Sequence, residues 1–249
     1  PFQGLNMTEN KRRSREDRNI ARLSALMGWS AAHPMAVRIL GAPIRLVALI
    51  PPIGRRLGIV ARAVLGTRAF PMHRINRQHG RIGIGGVDEV LTGSKLIHAL
   101  HVSIGQRLGP AETARILYEL GEATTRWEAS QALEQGEWAP PSLVLLIRNA
   151  TVLDRIRVDP EFATFFCRTM DVMCQLIAVE GGWGILHFEL GADGLLVRLR
   201  HSQEARWMGH SDQPVCHYFA GVVGGYASAL TGRKLQARET ACEACGAPE

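Results

Sequence analysis

Four residues close to the end of the sequence have side chains that could hold a soft divalent ion: Cys216, Glu239, Cys242 and Cys245. Thiolates together with a carboxylate suit zinc, which favours four tetrahedral ligands in a structural site. Cys242 and Cys245 alone form a C-x-x-C, a spacing shared by zinc knuckles and redox pairs. Redox chemistry wants the first thiol at a helix N-terminus, where its pKa falls. Here the pair follows an expected strand with no helix behind it, so metal binding is the better reading. Cys216 is the natural third thiol. It opens PVCHYFAGVVGGYASALTG, an expected helix with Gly221, Gly224 or Gly225, Ser228 and Gly232 on one face, which runs into RKLQARETAC, an expected strand. An antiparallel return of that strand brings Cys216, Glu239 and Cys242 onto one ion.

Other chemistry-bearing residues carry weaker signals. His98 and His101 (HALH) have the i, i+3 spacing of a helical metal pair. No matching acid or third histidine follows, so a surface or core role is expected for them. Cys167 and Cys174 lie on one face of an apolar helix and read as buried structural thiols. His187, His201, His210 and His217 are scattered; His217 directly follows a proposed ligand and could support it or face a pocket. There is no G-x-S-x-G, H-E-x-x-H or P-loop, and Gly83, Gly85 and Gly86 in RIGIGGVDE do not make a dinucleotide fingerprint. RIGIGGVDE reads as a hinge into the main domain. No catalytic residue is assigned.

The elements that must position these residues follow from periodicity and punctuation. SKLIHALHVSIGQRLG predicts a helix ended by Gly109, and Pro110 starts a longer one through PAETARILYELGEATTRWEASQALEQG. SLVLLIRNATVLDRIRV fits a buried helix or strand. Asp159-Pro160 opens the apolar helix PEFATFFCRTMDVMCQLIAVEG. GWGILHFEL and GLLVRLRHS read as two strands about a turn at Gly191 to Gly194.

From Cys216 onward the pattern resembles the vinyl-4-reductase-like domain: Cys216, Gly221, Gly225, Ser228, Gly232, Glu239-Thr240, Cys242 and Gly246. That domain occurs in the sensor half of aromatic-responsive transcription activators and in proteins associated with bacteriochlorophyll synthesis. The resemblance extends more weakly upstream, over RILYELGEATTRW and GWGILHF, to about residue 94. It implies an α+β fold, with helices packed against a small antiparallel sheet as in small TRAPP subunits, and a homodimer with residues 110 to 137 as the interface. It also implies a structural zinc on Cys216, Glu239 and Cys242, with the family's fourth cysteine falling just after Glu249 and Cys245 as the alternative fourth ligand. The aromatics of the region would line a hydrocarbon pocket, with Phe162, Phe166, Trp183, Phe188, Trp207, His217, Tyr218 and Tyr226 as its residues; Phe165 belongs to the same set, and plain core packing is the competing reading.

Composition bounds the rest. At 249 residues, 46% hydrophobic and 21% charged, the sequence is that of an ordinary globular protein. Five cysteines and no signal peptide favour a reducing, cytoplasmic setting. PFQGLN before Met7 is expected to be left over from expression, with 7–90 a basic, mainly helical extension and 91–249 the ligand-binding domain. Eleven arginines and no acid lie between Arg18 and Arg81. Spaced among aliphatics, they fit helices packed on the main domain or a partner, or an amphipathic segment on an anionic membrane surface. They lack the aromatic interleaving of a nucleic-acid surface. The longest apolar run, Leu46 to Ile53, is too short to span a bilayer. The expected function is non-catalytic binding of a small hydrophobic or aromatic molecule, or a lipid, as sensor, carrier or assembly subunit. The alternative is a tetrapyrrole-pathway accessory or reductase-associated subunit.

Overall fold

The structure, a computed structural model, describes residues 32–40, 74–84, 87–90, 92–135, 152–174, 178–179, 181–191 and 194–247, with a few positions between 18 and 43. Most of the Arg-rich stretch 19–70 and the segment SLVLLIRNAT lie outside these residues. In chain order the elements are α1 (Pro34–Leu40), β1 (Arg74–Asn76), β2 (Arg81–Ile84), β3 (Val87–Glu89), α2 (Leu96–Leu108), α3 (Pro110–Gln135), α4 (Val152–Val158), α5 (Pro160–Cys174), β4 (Ile185–Gly191), β5 (Gly194–Arg200), α6 (Gln203–Met208), α7 (His217–Thr231) and a 3₁₀ turn, Glu243–Cys245. The fold is α+β, and among the described residues no helix is long and apolar enough to cross a membrane.

The boundaries follow local chemistry. Gly109, at φ +81°, ends α2 in a conformation that favours glycine, and Pro110 starts α3 where its missing N–H costs nothing. Asp159 caps α5, its carboxylate accepting from Phe162 N–H at 3.0 Å. β4 and β5 pair antiparallel from Ile185↔Arg200 to Gly191↔Gly194, the hairpin the sequence predicts.

Two close packings hold the main domain. On one side, α5 lies on β4: Phe162, Phe165, Phe166 and Met170 meet Leu186 and Phe188 in a core completed by Val152, Ile156, Phe219 and Leu230. Asp171 ties the two elements, accepting from Phe188 N–H at 2.6 Å and meeting His187 Nδ1 at 3.0 Å. On the other, α7 crosses α3 almost backbone to backbone. A methyl group at Gly221 would collide with Tyr118 O and lie 2.9 Å from Glu122 N; one at Gly121 would collide with Tyr218 O and lie 2.9 Å from Val222 N. The small-residue face predicted for 216–232 is thus the contact with α3.

Three sequence expectations are corrected. RIGIGGVDE is no hinge: Arg81–Ile84 and Val87–Glu89 pair as antiparallel strands, with β1 added at the far edge. The Arg81–Asp88 ion pair crosses the hairpin, and Gly83 admits Val87 O where a side chain would not fit. Residues 234–240 are extended and alternate outward and inward, yet among the described residues they join no sheet. Side chains take the place of a partner strand: Leu235 N–H donates to Ser228 Oγ at 3.0 Å and Ala237 N–H to Tyr118 Oη at 3.1 Å. The short helix α6 went unread because RHSQEARWMG is too brief to show a period.

Candidate metal centre and aromatic cluster

The return of residues 234–240 along α7 brings Cys216, Glu239 and Cys242 together. Their ligand atoms all lie within 4.8 Å of one another, so the three could hold a metal ion. Cys216 caps the start of α7, Glu239 is the last inward-facing residue of the extended segment, and Cys242 is buried just before the 3₁₀ turn. Glu239 also accepts from Cys216 N–H at 3.1 Å, which fixes the carboxylate beside the helix end.

The electrostatics fit a cation. Burial pushes the Cys216 thiol far above its ordinary value, opposed by a hydrogen bond with Ser202 (3.2 Å) and reinforced by the charges of Glu239, Cys242 and Glu204. Burial likewise raises Cys242, helped by Glu239. Two thiols and a carboxylate crowded in a dry corner disfavour one another's charged forms, and a divalent ion reverses that logic by deprotonating the thiols outright. Cys245 is exposed on the 3₁₀ turn and does not join the three.

Three residues that the sequence reading passed over shape this corner. Glu204, on α6 and 4% exposed, accepts from Tyr218 N–H at 3.1 Å and Phe219 N–H at 2.7 Å, satisfying orphan donors at the start of α7. Burial raises its carboxyl to about 7 against the pull of those two bonds. Glu243 accepts from His201 N–H (2.7 Å) and Ser202 N–H (3.0 Å), pinning the C-terminal turn to the β5–α6 junction. Ser202 caps α6 and touches Cys216. Only Ser202 had a local signal, a serine before Gln203-Glu204; the other two act across 14 and 41–42 residues.

The predicted pocket residues divide into separate groups. Phe162, Phe166 and Phe188 are buried in the core between α5 and β4. Trp183 and Tyr218 stack at its margin, ring centroids 5.5 Å apart and 19° from parallel, with Phe219 beneath at 6.3 Å. Tyr226 is half-buried further along α7. Trp207 lies apart under Lys95, whose Nζ is 4.5 Å from the ring centroid, and its buried Nε1 has no partner among the described residues. His217 faces His101; burial lowers the pKa of both imidazoles. A groove of about 740 Å³ opens elsewhere, between α3 and residues 234–238, where Arg115, Glu122, Arg126, Lys234 and Arg238 give it a charged lining.

Residues 195–249 match the family model of the vinyl-4-reductase-like domain. The match contains Cys216, Glu239 and Cys242 and all of the stretch that carried the resemblance most specifically; the weaker likeness reaching back to residue 94 lies outside it. Among solved structures, the phenol-responsive sensory domain of the transcription activator PoxR, crystallised with phenol, is similar at 19% identity and a TM-score of 0.48, over 72% of this chain and 82% of that one. That similarity is too low to carry ligand or mechanism across. No curated protein sequence matches the chain. The metal-capable cluster therefore sits wholly inside the segment that the family model matches, on its helix and its C-terminal turn.

Proposed function

We propose that the protein binds a small apolar or aromatic molecule without transforming it, through a vinyl-4-reductase-like domain whose last helix and C-terminal turn are fastened together by zinc. The observation that carries this reading is the convergence of Cys216, Glu239 and Cys242 within the matched segment. Zinc held there would be structural. Its ligands come from the start of α7 and the far end of the return, so it would fix the helix end that presents His217, Tyr218 and Phe219. The Trp183–Tyr218 stack supports an aromatic ligand: it is a partly buried apolar face with an indole and a phenol as polar handles, the composition of a small-molecule site. The bound molecule would be reported to a partner or carried, giving the protein a sensor, carrier or assembly role.

Native mass spectrometry of the purified protein tests both halves, with phenol as the first added ligand. The expected spectrum shows zinc that Cys216→Ser removes, and a mass increment on adding phenol accompanied by a change in tryptophan fluorescence. A folded protein free of metal and unresponsive to aromatic ligands would overturn the reading. Stoichiometric zinc retained by Cys216→Ser would overturn the ligand assignment alone.

A further inference from the structure

The HALH pair, without a third histidine in its own stretch of sequence, acquires one in the fold. His98 and His101 lie a turn apart on α2, and His217 is the first residue of α7. The His101 and His217 rings are in contact, centroids 5.6 Å apart and tilted by 33°. His98 Nδ1 is buried and has no hydrogen-bond partner among the described residues.

We propose that His98, His101 and His217 form a second metal site, with nitrogen donors only, for a divalent transition ion of the zinc and cobalt class. The argument is geometric. Two imidazoles bound to one tetrahedral ion at about 2.0–2.1 Å per nitrogen have ring centroids about 5 Å apart; the His101–His217 separation is within an ångström of that. An i, i+3 histidine pair on a helix offers two ligands to one side, and a residue from a neighbouring helix supplies the third. A buried imidazole nitrogen without a partner is costly to leave so, and an ion satisfies it. Unlike Cys216, Glu239 and Cys242, the three imidazoles do not already hold their nitrogens within 4.8 Å of one another, so the ion must draw them together by side-chain rotation. Three protein ligands leave a fourth position for water or an anion, the open arrangement of a site that binds or activates a ligand. Imidazole also suits this class of ion without any thiolate, so the two sites are separable by their donors.

Cobalt(II) titration of the zinc-stripped full chain, followed by visible absorption and native mass spectrometry, decides the matter. Wild type is expected to bind two ions, only one of them with thiolate-to-cobalt charge transfer. His101→Ala should bind one ion and keep the charge-transfer band; Cys242→Ser should lose the band and keep the other ion. His98→Asn, a milder change on the same face of α2, should repeat the loss if His101→Ala fails to fold. A single ion in wild type that carries the band, or two ions in both folded histidine variants, overturns the second site. A single ion in wild type without the band, lost in the histidine variants, overturns the thiolate centre and supports this proposal.

Discussion

Replacing Gly221 by alanine puts the whole arrangement under one load. An added methyl group meets backbone atoms of α3, Tyr118 O closest and Glu122 N at 2.9 Å. Ordinary contact begins near 3.4 Å, so the helices must part by more than half an ångström at their closest point. No rotamer change can relieve it, because the obstructing atoms belong to the main chain. Overpacking of this kind costs about 1–3 kcal/mol, and a backbone collision belongs at the upper end. Alanine returns about 1 kcal/mol through its better helix propensity. The steric term wins, leaving about 2 kcal/mol of destabilisation and a Tm lower by about 4–8 °C for a chain of this size. Because α7 carries Cys216 at its start, the same displacement should weaken zinc binding. Urea denaturation by circular dichroism, with a parallel zinc titration, measures both. Gly105→Ala is the control: its methyl group would lie 3.6 Å from Thr113 Oγ1 in ordinary contact, so the propensity gain of about 0.5–1 kcal/mol should appear unopposed. A Gly221→Ala protein within about 0.5 kcal/mol of wild type would refute the argument.

Chelation with zinc at about a hundred times Kd should remove about 2.7 kcal/mol of stability, seen as a lower Tm in wild type and no change in Cys216→Ser. Glu204 is raised from 4.5 to about 7, so the folded state holds its proton more tightly than the unfolded state and stability falls as pH rises through that interval. In chelator, wild type should lose about 3 kcal/mol relative to Glu204→Gln between pH 4 and pH 8; a difference that does not vary with pH refutes the assignment. Tyr118→Phe removes the acceptor of Ala237 N–H and should cost about 0.5–1.5 kcal/mol by denaturant titration. The loss should be accompanied by weaker zinc binding, since Glu239 follows two residues later.

The sequence by itself determined the elements whose signals are local. Gly109 and Pro110 divide α2 from α3, Asp159 starts α5, and alternation about Gly191 and Gly194 makes the β4–β5 hairpin, because a cap, a turn or a period is written in adjacent residues. It also brought Cys216, Glu239 and Cys242 together on paper, since one helix and one return fix where the two ends of that segment meet. Tertiary structure alone decided what depends on distant backbones. Gly221 looks like any small helical residue until Tyr118 O lies against it, and Glu204 looks like a surface acid until α7 starts over its carboxylate. His217 meets His101 across an interval that no spacing rule spans, and residues 234–240 stay out of a sheet because Ser228 and Tyr118 occupy the N–H groups a strand would have used. Hydrogen-bond partners and close approaches are properties of packing, and packing joins residues that the chain keeps far apart.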